Sequence, residues 1–125
     1  MDVQKQIDYW KKSSQEDLEA AKTLLEKGHF RHALFFAHLA IEKALKAHVT
    51  RKTCEVPPKI HNLTRLAEKA ALPLELWQRD FLLAFDAHQL EGRYPDMVSA
   101  LMDRTEAQAE LAKAERGLQW LMSLL

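Results

Sequence analysis

The sequence has little of several things. It holds one cysteine, three glycines and four prolines in 125 residues. The lone Cys54 excludes an internal disulfide framework and fits a reducing compartment. So few glycines and prolines exclude a collagen-like or low-complexity chain. Val, Ile and Thr are sparse beside Leu and Ala, which argues against an extended sheet and for helices, since straight-chain and alanine residues lose little on entering one. Neither sign of charge is in excess: 18 basic and 18 acidic residues give a formal net charge of zero. A broad electrostatic grip on nucleic acid is therefore not expected, although local patches remain open. Long apolar runs are missing too. The most apolar stretch, Ala33 to Ile41, is interrupted by His38 and falls far short of the roughly 20 residues a membrane span needs. Met1-Asp2-Val3-Gln4-Lys5 has no apolar core behind a basic start, so no signal peptide is expected and the cytoplasm is the expected compartment.

The content that is present, 47% hydrophobic and 29% charged, is that of one globular domain spanning residues 1–125 with one sizeable core. The first helix is expected from about Val3 to Lys27. Its seam is Val3, Ile7, Trp10, Ser14, Asp17, Ala21 and Leu24, in steps of four and three, widened by Leu18 and Leu25. Ser13 and Glu16 offer a later start as a capping box, and Gly28 ends the helix. The second helix, about Phe30 to Thr53, carries Phe30, Leu34, Ala37, Ile41, Ala44 and His48 on one face and Phe35, Phe36 and Leu39 on another. A helix apolar nearly all round must be covered on more than one side, by the bundle or by a partner chain. Pro57-Pro58 breaks the chain. A short third helix runs from about Asn62 to Ala71, capped by Asn62 or His61. A fourth, about Leu74 to Leu90, enters at Pro73 and closes at Gly92, with Trp77, Phe81, Ala84, Phe85 and His88 as its stripe. Met97 to Arg104 is ambiguous. Thr105 and Gln108 read as a capping box for a last helix, about Glu106 to Ser123. The fold class expected is all-α, an antiparallel up-and-down bundle of four to five helices.

Four islands stand out in order: Ala33-Leu34-Phe35-Phe36-Ala37-His38-Leu39-Ala40-Ile41-Glu42-Lys43-Ala44-Leu45-Lys46-Ala47, then Pro57-Pro58, then His61-Asn62-Leu63, then Arg93-Tyr94-Pro95-Asp96. Together they resemble the HEPN family, over nearly the whole chain from about Ile7 to Leu121. The resemblance implies a helical bundle that pairs as a homodimer. It also implies nucleotide or RNA binding, RNA cleavage in many members, and in small prokaryotic members a minimal nucleotidyltransferase partner in a toxin–antitoxin pair. Catalytic members carry an Arg followed, after four to six residues, by a His. Arg93 stands where that Arg is expected, but Tyr94 to Ala100 contains no His. A metal-free ribonuclease needs a group to take the 2′-hydroxyl proton, and His is best tuned for it near neutral pH. The expectation is thus a non-catalytic binding domain, with no cofactor. The alternatives are a ribonuclease toxin using His88 or His61 as base, and a purely structural dimeric partner.

The expected nucleotide-binding residues are Arg93, Tyr94, Lys43, Lys46 and His61. Lys43, Lys46, Arg51, Lys52, Lys59 and Arg65 lie in a stretch whose only acid is Glu55, which reads as a phosphate patch or as cations complementing a helix C-terminus. Arg93 suits a phosphate and Tyr94 a base. The plainer reading has Tyr94 plugging the core and Arg93 paired with Asp86 or Asp96. His61 reads as a cap or a ligand contact, and His29 and His32 as solvated. His38 and Glu42, four apart on one helical face, invite a check for a metal. Glu26-Lys27-Gly28-His29 matches a Glu-x-x-His pattern, but Gly28 breaks the helix there and no second copy exists, so no metal site is expected.

Overall fold

The computed structural model describes residues 1–94 and 102–125, which form six helices. Pro95, Asp96 and the ambiguous stretch as far as Leu101 lie outside the described residues. α1 (Val3–Glu26) and α2 (Phe30–Thr53) make the framing hairpin. The side chain of Asp2, not Ser13, caps α1 by accepting from the Lys5 amide. Gly28 (φ +86°) turns the chain, with Gly28 N–H on the Leu25 carbonyl and His29 N–H on that of Leu24. This is the Schellman closure that only a glycine adopts without strain.

α2 is the central post. Ala33, Ala37, Ala40, Ile41, Ala44, Leu45 and Ala47 have no solvent exposure. It packs against α1, α3 (Leu63–Lys69), α5 (Ala87–Arg93) and α6 (Arg104–Ser123). The bundle covers the second apolar face in part: Phe36 packs against the core, and Phe35, Phe36 and Leu39 are half-buried. Asn62 caps α3 through the Arg65 amide, as expected. α6 is capped by Asp103 rather than Thr105, its carboxylate accepting from the Glu106 amide.

The expected fourth helix is two helices. α4 (Leu76–Phe85) starts later than expected, at a Glu75/Gln78 capping box, and α5 follows after a break at Asp86. Gly92 does not close it, for α5 continues to Arg93. Inter-helix contacts give the directions. Lys43 meets Asp17 and Lys46 meets Trp10, so α1 and α2 are antiparallel. His48 meets Leu121 and Arg51 meets Leu124, so α2 and α6 are parallel. Trp77 meets Trp120 and His88 meets Glu110, so the α4–α5 arm runs antiparallel to α6. The result is an all-α, up-and-down bundle. Among the described residues no helix is long and apolar enough to cross a membrane.

Candidate functional site

A thread of polar side chains enters the bundle where α2, α3 and α5 meet. His38, fully buried on α2, places Nε2 2.9 Å from Asp86 Oδ1. A carboxylate only accepts, so Nε2–H is the donor. The Asp86 carboxylate also accepts from the Leu63 amide, at 3.2 and 3.3 Å, satisfying one of the free N–H groups at the start of α3. One turn along α2, buried Glu42 takes His61 Nδ1–H on Oε1 and Lys46 Nζ on Oε2, both at 3.1 Å. The second ring nitrogen of His38 lies 3.8 Å from the same Oε1 and makes no hydrogen bond. The four-residue spacing of His38, Glu42 and Lys46 puts all three on one face of α2, and the loop before α3 brings His61 to that face. The His61 side chain is 44% exposed, so the outer edge of its ring faces solvent while Glu42 holds the inner one.

The five expected site residues do not converge on one point. Lys46 is buried, bonded to Glu42, and lies over the Trp10 ring. Lys43 turns to α1, where it meets Asp17 at 2.8 Å and Ser13 at 2.8 Å. His61 joins Lys46 on Glu42. Arg93, exposed at the end of α5, lies with its guanidinium 5.2 Å from the Phe35 ring centre. Phe35 and Lys46 are three turns apart on α2, roughly 16 Å at 1.5 Å per residue. Tyr94 is 52% exposed and does not plug the core. Asp86 is committed to His38 and Leu63 rather than to Arg93. His88 is buried against the Phe85 ring, with Nε2 3.4 Å from Glu110. His29 and His32 are exposed. Among the described residues no cluster of three or more His, Cys, Asp or Glu is arranged to hold a metal ion.

Comparison with known proteins bears on this arrangement. Residues 7–124 match the sequence profile of the HEPN domain. The chain belongs to the HEPN family. Two solved structures share the bundle of this HEPN domain. The crystal structure of TT1696 from Thermus thermophilus is 25% identical and superposes with a TM-score of 0.82, covering 95% of this chain and 98% of that one. The structure of ST0689, an archaeal HEPN homologue, is 21% identical with a TM-score of 0.72, covering 94% and 96%. No curated protein sequence matches.

The HEPN domain has a further concavity that the sequence left unmarked. A cleft of about 420 Å³ lies between α4 and α6, lined by Trp77, Asp80, Phe81, Ala84, Phe85, Glu110, Lys113 and Arg116. The aromatic part was legible as the α4 stripe. Its partners on α6 were not, because they lie on the face away from the α6 seam.

Proposed function

We propose that this HEPN domain is a non-catalytic binding unit that holds a nucleotide or RNA phosphate at Arg93 and Tyr94. The observation that carries this reading is that both side chains stand exposed and adjacent at the end of α5, with Arg93 resting on Phe35. A cation over a ring keeps its full charge for an anion, whereas Lys43 and Lys46 are already met by Asp17 and Glu42. His61 lies apart from this pair, with its Nδ1–H held by Glu42. The test is a titration with fluorescently labelled single-stranded RNA at two salt concentrations. Arg93→Ala is expected to weaken binding about tenfold, equivalent to about 1.4 kcal/mol, and Lys43→Ala much less. Affinity should fall as salt rises. Unchanged binding in Arg93→Ala would remove this site.

Family membership supports two companions for the domain: a second copy of itself, and a minimal nucleotidyltransferase in a toxin–antitoxin pair. Co-purification with the product of a neighbouring nucleotidyltransferase gene tests the latter. One observation favours the ribonuclease alternative: Glu42 holds His61 as an orienting carboxylate holds a catalytic base. Under that reading metal-free protein cleaves RNA and His61→Ala abolishes cleavage. Under the binding reading the RNA stays intact.

A further inference from the structure

We propose that the cleft between α4 and α6 binds a free α-amino acid with a large apolar side chain, at a site separate from Arg93. The cleft encloses about 420 Å³, within the range of roughly 300–1,000 Å³ typical of small-molecule sites. Its walls are rings set at angles to one another. Trp77 is inclined at 64° to Trp120, and Phe81 at 42° to Phe85. Such rings offer no plane to stack on. They leave recesses between an edge and a face, where a branched chain fits or a further ring meets them edge-to-face. Phe81 lies tight against α6 at Gly117, where any Cβ would collide with its ring, so this wall is fixed from behind. Ala84, exposed one turn on, is too small to close the recess.

The charges at the rim are of both signs, two acids and two bases. Glu110 takes Lys113 at 3.0 Å and His88 at 3.4 Å. Asp80 and Arg116 are exposed, and among the described residues of the chain neither has an ion-pair partner. They stand at one level of the cleft, because Phe81 packs on Gly117 and Asp80 and Arg116 are the residues just before these two. An α-amino acid carries a carboxylate and an ammonium on one carbon. Its carboxylate suits the Arg116 fork, and its ammonium suits Asp80. Its side chain then runs into the apolar recess toward Ala84 and Phe85. A net anion meets Asp80 and Glu110, and a net cation meets Lys113 and Arg116. A purely apolar molecule leaves both uncommitted charges unused.

Calorimetric titration of the full chain with leucine, methionine, phenylalanine and tryptophan tests this, beside glycine and the N-acetyl and amide derivatives of the tightest binder. At least one of the four is expected to bind, one per chain, with a dissociation constant of about 1 mM or tighter. Glycine keeps both charges and lacks the side chain; the N-acetyl form lacks the ammonium and the amide lacks the carboxylate. Each should bind at least about tenfold more weakly, through the loss of apolar burial or of a charge-assisted bond. Arg116→Gln and Asp80→Asn, both at exposed positions, should each reproduce that loss with unchanged melting curves. Ala84→Leu should fill the recess and abolish binding. Arg93→Ala should change nothing, which separates this site from the Arg93 reading. The proposal is overturned if none of the four binds at about 10 mM, or if glycine or either derivative binds as tightly as the parent. It is also overturned if Arg116→Gln and Asp80→Asn leave the affinity unchanged.

Discussion

His48 sits in the seam between α2 and α6, where Nε2–H donates to the Leu121 carbonyl at 2.8 Å. Burial lowers its pKa below the ordinary 6.5; the bond to Leu121 opposes that shift and Arg51 reinforces it. With the folded pKa below the unfolded one, the unfolded chain binds more protons in the interval between them. The contribution is therefore fully present above pH 6.5 and is lost as pH falls from 6.5 through the folded value. Thermal melts spanning roughly pH 7.5 to 5 should show wild type losing stability over this window and His48→Gln losing less. Two backbone positions are equally specific. Cys54 (φ 57°) and Ala71 (φ 53°) take the left-handed conformation, which costs a residue with a Cβ about 1 kcal/mol. Ala71→Gly should raise the denaturation midpoint by a comparable free energy, since Ala71 is exposed and loses no packing. Gly28 was legible as a turn because a glycine stood at the end of a periodic helix. Cys54 and Ala71 were not, because there the local helix-ending hydrogen bonds, Cys54 N–H on the Thr50 carbonyl and Ala71 N–H on that of Glu68, are closed by residue types that do not advertise a left-handed conformation.

At the scale of the element, the α4–α5 break shows where periodicity stops being informative. Trp77, Phe81, Ala84, Phe85 and His88 keep helical spacing straight through Asp86, so the pattern reads as one helix. The break follows from long-range chemistry: the Asp86 carboxylate is drawn to His38 on α2 and to the first amide of α3. Those partners lie 48 and 23 residues away in sequence, and no local signal records them. The reverse holds for α2, whose continuous apolar surface made it legible as a central helix before any contact was known. The Arg93–Tyr94 pair and the His38–Glu42 spacing were visible as residues. The turning of Lys43 and Lys46 onto acids was not, because Asp17 belongs to α1 and Glu42 was read only against His38. Asp86→Ala should destabilise the fold by about 2–4 kcal/mol, since it leaves a buried imidazole N–H and a helix N-terminal amide unpaired. Urea unfolding measures this, and a loss below about 0.5 kcal/mol would show the thread to be incidental to stability.

For the whole molecule, the question is what covers the outer face of the α4–α5 arm. Leu76, Leu83 and Leu90 recur every seven residues there and are 76%, 57% and 38% exposed. The second apolar face of α2 needs cover from the bundle or from a partner chain; Phe36 packs against the core, while Phe35 and Leu39 stay half-buried. A row of exposed leucines is apolar area left in water, and a second copy of the chain can bury it by a twofold pairing in which the same patch serves both subunits. Arg79 and Asp80 neighbour these positions on α4, and a twofold axis can set one against the other. Sedimentation should therefore find a dimer at micromolar concentration. Leu83→Glu should convert it to a folded monomer, because an unpaired carboxylate would have to be desolvated in the interface. Phe36→Glu, by contrast, should lower the unfolding midpoint whether or not the chain is dimeric. A wild-type protein that stays monomeric at tens of micromolar, or a dimer indifferent to Leu83→Glu, would mean that the leucine row does not pair two copies.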